Sequence, residues 1–149
     1  THRVAAALME TGIAVAGVNK ALFRTKSRTR LAMEAWMAEW AEYYDNDRVV
    51  IMQIPRSLCL DYKATEADVE ELCSLAALVA GTDCGVTLRE LEPGKVKISL
   101  RTGPRVNATK VCALLGGGGH AAAAGATLSA TLSEAKQAVL QAIDMVVGE

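Results

Sequence analysis

A chain of 149 residues can build one good hydrophobic core, and its length does not demand two complete domains. Its 51% hydrophobic share with 4% aromatics describes an ordinary α/β or α-rich protein, and no apolar run approaches a membrane span. With 16 basic residues against 17 acidic ones, the net charge of -1 argues against holding long nucleic acid on a broad positive surface; any anion bound is small and met by a few focused residues.

Arg3 to Glu10 reads as the end of a helix stopped by Gly12, and helical spacing resumes from Val15 to Arg24 through Val15, Val18, Leu22 and Phe23. The chain starts at Thr1 inside this helical pattern without signal-peptide anatomy, so it is expected to be a cytoplasmic fragment of something longer. A basic stretch from Arg24 to Arg30 reads as a solvated face rather than a nucleic-acid arm. It leads into a helix from Leu31 to Trp40, where Trp36 and Trp40 with Met33 and Met37 form a packing stripe.

Tyr44 to Arg48 is turn chemistry, and Val49 to Ile54 is a buried strand closed by Pro55. Thr65 and Asp68 resemble a capping box that opens a helix through about Val79, ended by Gly81. Two strands, Gly85 to Leu91 and Lys95 to Arg101, are joined by a hairpin at Glu92-Pro-Gly94. On the second strand Lys95, Lys97, Ser99 and Arg101 share a polar face, and Val96, Ile98 and Leu100 an apolar one. Asn107 caps a short helix from Ala108 to Leu115 that runs into glycines. After them, Ala126 to Ser129 reads as a short strand. Thr131 starts a last amphipathic helix with Leu132, Ala135, Val139, Ile143 and Val146 inward.

The decisive stretch is Gly116 to Thr127, GGGGHAAAAGAT. One glycine suffices to end a helix, and four cost conformational entropy. Consecutive glycines let backbone N–H groups form a nest for an anionic oxygen, and His120 beside them can donate to a phosphate. Arg101, at the end of a strand before a Gly-Pro loop, can fork onto the same group. Arg89, Lys95 and Lys97 read as surface charge. Cys59, Cys73, Cys84 and Cys112 form no C-x-x-C pair and read as buried free thiols. With only His2 and His120, and no acidic residues at metal-ligand spacing, the chain alone is expected to catalyse nothing.

These residues resemble the DHH phosphoesterases, in which a catalytic domain is followed by a DHH-associated domain ending in a motif close to GGGH-x-x-A-A-G. The match is Gly117-Gly-Gly-His-Ala-Ala-Ala-Ala-Gly125, extended by Gly116, with Lys97-Ile-Ser-Leu-Arg101 similar to the family's S-x-R strand and Val106-Asn107-Ala108 to its lead-in. The flavour is that of the nanoRNase and pAp-phosphatase branch. The resemblance implies an α/β fold with a central mixed β-sheet and helices packed on it, spanning residues 48–149. Residues 1–47 would be the tail of a missing catalytic domain and a linker helix. It further implies a substrate-binding role for Arg101, His120, Gly117, Gly118, Gly119 and Ser99. Ligands would be short RNA or DNA oligonucleotides or phosphorylated nucleotides. The partner would be the protein's own catalytic DHH domain, where Mn2+ is expected, with no cofactor in this fragment, no membrane, and a homodimer among the assemblies allowed. Glu71 and Ser74 stand where related sequences often carry Gly and Asn, which leaves the exact substrate open. Cyclic-dinucleotide hydrolysis and a non-catalytic interaction module are the rival readings.

Overall fold

The computed structural model describes residues 2–148. Its centre is a six-stranded sheet of β1 (Glu42–Tyr44), β2 (Val49–Ile54), β3 (Cys84–Glu92), β4 (Lys95–Thr102), β5 (Gly118–His120) and β6 (Ala123–Leu128), in the order β1-β2-β3-β4-β6-β5. Only β2 and β3 pair in parallel, so the sheet is mixed, as the sequence implied. Around it lie α1 (His2–Glu10), α2 (Val15–Asn19), α3 (Arg28–Glu39), α4 (Arg56–Asp61), α5 (Glu66–Glu70), α6 (Ala108–Leu114) and α7 (Leu132–Val147).

The two-residue period of the strands decides what each face meets. Val86 and Leu88 of β3, Val96, Ile98 and Leu100 of β4, and Ala124 and Ala126 of β6 point to one face, where α6 and α7 cover them. On α7, Ala135, Val139, Ala142 and Ile143 are buried at helical spacing, and its start is fixed by a capping box between Thr131 and Glu134. Cys84 and Cys112 lie in this core, and burial, followed by the neighbouring Cys112 and Asp83, pushes the Cys84 thiol up to about 12. On the opposite face Val50, Met52 and Ile54 of β2 meet Met33 and Met37 of α3, Leu58 of α4 and Val69 of α5. This second core ends at β3; the helical segment after α5 reaches the near side of β4, and among the described residues no helix covers β6 and β5 on that side.

The edge of the second core is set by a tightened helix. α5 begins with the expected capping box, Thr65 and Asp68 bonding each other's backbone N–H, but Glu71–Leu78 continues as a 3-10 helix. Leu72 and Ala76 press it onto β3, where a Cβ at Gly85 would lie 2.4 Å from the Ala77 nitrogen. The Thr87 hydroxyl donates to the Cys73 carbonyl at 3.3 Å and ties the same contact.

The turn expected from Tyr44 to Arg48 is made by Asp45, Asn46 and Asp47, whose φ of 52, 53 and 66 form a run of left-handed residues between β1 and β2. Other elements escaped the sequence reading. The three residues of β1 are too few to show alternation, yet they anchor α7. Lys136 donates to Glu42 at 2.8 Å, and Tyr44 and Gln53 donate to the same carboxylate at 2.6 and 2.9 Å. Burial would raise that carboxyl, but these donors hold it below its ordinary range. α4 starts directly behind Pro55, which marks a strand's end and a helix's beginning at once. Met33 and Met37 are buried and Trp36 packs against the second core, whereas Trp40 is 61% exposed with its ring centroid 6.1 Å from Trp36, so three of the four residues of the expected stripe pack inward. The basic lead-in folds back on carboxylates: Lys26 and Arg30 pair with Glu34, and Arg30 also with Glu71. α1 and α2, the latter continued by a π-helical turn over Lys20–Arg24, bury no residue.

Candidate functional site

Strand register lays the uncovered face out in rows. Arg89, Lys97 and Thr127 form one row; Thr87, Ser99, Gly125 and Gly118 the next; Gly85, Arg101, Ala123 and His120 the third. Adjacent strands are about 4.8 Å apart, so Arg101 and His120, two strands apart, sit on one face roughly 10 Å from each other. The central row narrows to hydroxyl and bare backbone. A cavity of about 370 Å³ opens above it, with Arg101, Ser99, Gly118 and Gly119 in its lining.

The four glycines form a strand and a helix stop rather than the expected nest. Gly116, at φ +74, ends α6: its N–H bonds the Ala113 carbonyl at 3.1 Å and the Gly117 N–H bonds Cys112 at 2.8 Å, the Schellman pattern. Gly117 has no room for a side chain, since a Cβ would lie 2.2 Å from the Gly125 oxygen. Gly118 faces open space above the sheet. Gly119 needs its φ of +149, and a Cβ there would meet the Ala123 oxygen at 2.6 Å. Backbone pairing wins over the nest because the segment is pinned from three sides. Thr109 donates to the Gly119 carbonyl at 3.1 Å, the Ala108 N–H to Ala121 at 2.8 Å, and the Thr102 N–H to Ala122 at 3.0 Å.

Charge is distributed unevenly around this floor. Arg89 forks onto Glu66 with bonds of 2.6 and 2.7 Å; that pairing holds the Glu66 carboxyl below its ordinary range and raises the arginine. Lys97 and Arg101 form no ion pair among the described residues. Arg101 spends one N–H on the carbonyl of its neighbour Leu100 at 2.9 Å. Ser99 is buried between them with a hydroxyl that bonds nothing among the described residues. Glu70 and Cys73 complete the wall on the helical side.

Of the residues expected at the site, Arg101, Ser99, Gly118 and Gly119 meet in one cavity, and Gly117 lines an adjoining hollow beside Lys97. His120 is exposed at the end of β5, in the row of Arg101 but outside the cavity lining. Arg89 and Lys97, read from sequence as surface charge, line the cavity too; the turn at Pro93-Gly94 alone would set Arg89 opposite Ile98, and it is the register shift between Glu90 and Glu92 that brings it opposite Lys97. Glu66, Glu70 and Cys73 carried no signal, because only the 3-10 packing brings them over the sheet. Glu71 and Ser74 do not line the cavity. No group of three or more His, Cys, Asp or Glu among the described residues could hold a metal ion, so this face does not fit a metal centre. No described helix is long and apolar enough to cross a membrane.

The DHHA1 domain model matches residues 46–149, which include every row of this face. The chain belongs to the DHHA1 family. This DHHA1 chain is 34% identical over 143 residues to the bifunctional oligoribonuclease and PAP phosphatase NrnA of Thermus thermophilus, a match covering 95% of this chain and 42% of that protein. An exopolyphosphatase-related protein of Bacteroides fragilis shares the fold with a TM-score of 0.87 at 20% identity, over 99% of this chain and 43% of that one. The pGpG-specific phosphodiesterase PggH of Vibrio cholerae aligns with a TM-score of 0.56 at 13% identity, over 81% of this chain and 40% of that one. The DHHA1 chain thus spans less than half the length of the relatives it matches.

Proposed function

We propose that this DHHA1 chain is the nucleotide-recognition part of a phosphoesterase that acts in the cytoplasm on short oligoribonucleotides or on 3'-phosphoadenosine 5'-phosphate. The observation that carries the reading is the open sheet face, where Arg101 and Lys97 stand without ion-pair partners among the described residues over a floor of Ser99, Gly118 and Gly125. A phosphate seated there meets charge-assisted donors from Arg101 and a hydroxyl from Ser99, and Gly118 and Gly119 let it approach the backbone. Gly117 widens the approach, and His120 contacts the part of the ligand that runs along the row of Arg101. Such a site takes a small ligand with few phosphates, in keeping with the net charge of -1.

The face does not fit a metal, so no hydrolytic step is assigned to it. Its contribution is orientation, holding the nucleotide toward a catalytic, manganese-dependent DHH domain of which residues 1–47 would be the tail and linker helix. The Thermus relative, a bifunctional oligoribonuclease and PAP phosphatase, supports this substrate class.

Equilibrium binding of a labelled diribonucleotide tests the reading. Arg101→Ala is expected to weaken binding about tenfold or more, the loss of a charge-assisted pair, and Ser99→Ala by less. Unchanged affinity in Arg101→Ala would remove the basis for the assignment and favour a packing role for the glycine hairpin.

A further inference from the structure

Two hollows adjoin on the open face, and Lys97 and Gly125 line both. The first is the cavity that holds Arg101. The second, of about 350 Å³, lies over Gly117 and Thr127. Lys97 and Arg101 project from the same face of β4, four residues apart, so their α-carbons are about 13 Å from each other along the strand. Between them the floor carries nothing larger than Ser99 and Gly125.

Carboxylates near Lys97 do not neutralise it. Glu66 feels its charge, but both Glu66 oxygens are engaged by Arg89. One phosphate placed at Arg101 leaves the ammonium of Lys97 without an ion-pair partner among the described residues, with Glu66 engaged by Arg89 and Glu70 in the same wall forming no ion pair to it. A second phosphate further along the trough supplies one, and an ammonium suits it because a point charge with rotatable donors accepts many phosphate orientations.

We propose that Lys97 is a specificity-determining residue that holds the second phosphate of a ligand whose first phosphate sits at Arg101, so that this face selects doubly phosphorylated nucleotides over singly phosphorylated ones. The proposal rests on the nucleotide reading above. Two phosphates on one nucleoside and two along a short chain share this chemistry.

Calorimetric titration of the protein with adenosine 5'-monophosphate, 3'-phosphoadenosine 5'-phosphate and 5'-phosphorylated diadenylate separates these cases, in wild type, Lys97→Ala, Lys97→Arg and Arg101→Ala. Lys97→Ala is expected to weaken one or both doubly phosphorylated ligands about tenfold, and Lys97→Arg to restore most of the loss. The monophosphate should change by less than about twofold, as for a distant exposed charge. Which doubly phosphorylated ligand responds identifies whether the two phosphates lie on one nucleoside or along a chain. Equal weakening of all three ligands, or of none, in Lys97→Ala overturns the proposal while a loss in Arg101→Ala leaves the nucleotide reading standing. Absence of binding by every ligand, or indifference to Arg101→Ala, overturns both.

Discussion

A methyl group added at Gly118 meets open space, whereas one at Gly119 meets the Ala123 oxygen at 2.6 Å on a backbone with φ +149. Gly118→Ala is therefore expected to melt like the wild type but to bind nucleotide more weakly, because the methyl stands on the floor of the cavity. Gly119→Ala is expected to lose about 1–3 kcal/mol of stability, seen as a lowered melting temperature. Equal melting of the two variants would contradict the division. The sequence showed that this run was unusual, and it showed Arg101 and Ser99 on one polar strand face. It did not show which glycine did what, since that depends on Gly125 and Ala126 lying across from Gly117. Asp68 gives a pH test at the same scale. Hydrogen bonds from Ser27, then from the Thr65 hydroxyl and N–H, hold its carboxyl at about 2 against an ordinary 3.8. A depressed folded value stabilises the fold fully above the unfolded one, so this contribution is present above pH 3.8 and is lost as pH falls toward 2. Melting temperature followed from pH 5 to pH 2 should fall more steeply in wild type than in Asp68→Asn, and parallel curves would refute the assignment.

The 3-10 segment Glu71–Leu78 decides where the second core stops and where the open face begins. Its closeness to β3 depends on Gly85, because a Cβ there would press on the Ala77 backbone. Gly85→Ala is expected to cost about 1–3 kcal/mol as an overpacked contact and to weaken nucleotide binding by displacing Glu70 and Cys73. A variant that keeps both wild-type stability and affinity would show that the segment does not set the wall. Long amphipathic or alternating elements, β4, α7 and the β3–β4 hairpin, were legible because their period is set by burial on one face. β1, β5 and α4 were not, being three to six residues long and defined by pairing or by a single proline rather than by a repeat. The tightening of the α5 helix into a 3-10 form was equally hidden, because it is imposed by the sheet beneath it.

At the scale of the whole molecule, the sheet has one face closed by α6 and α7 and another covered over β2, β3 and the near side of β4. α3 and β1 precede residue 48 yet pack with the sheet, whereas α1 and α2 leave Val4, Leu8, Leu22 and Phe23 exposed. Deletion of residues 1–24 is accordingly expected to leave the urea midpoint of the sheet unchanged, and a clear drop would mean that these helices stabilise it. The mixed α/β class came with the family resemblance carried by the glycine-histidine stretch and the strand before it, but the open half-face did not, because it follows from which strands the helices leave uncovered. The central claim is that this half-face, and no other surface, binds nucleotide. Backbone amide shifts recorded during titration with 3'-phosphoadenosine 5'-phosphate test it most directly. The account predicts shifts concentrated at Ser99, Arg101, Gly118, Gly119 and Gly125, silent amides at Val111 and Val139 on the covered face, and loss of the shifts in Arg101→Ala. Shifts centred instead on the cavity around Arg48, Asp83 and Arg105 beside the end of α7, or none at saturating ligand, would contradict it.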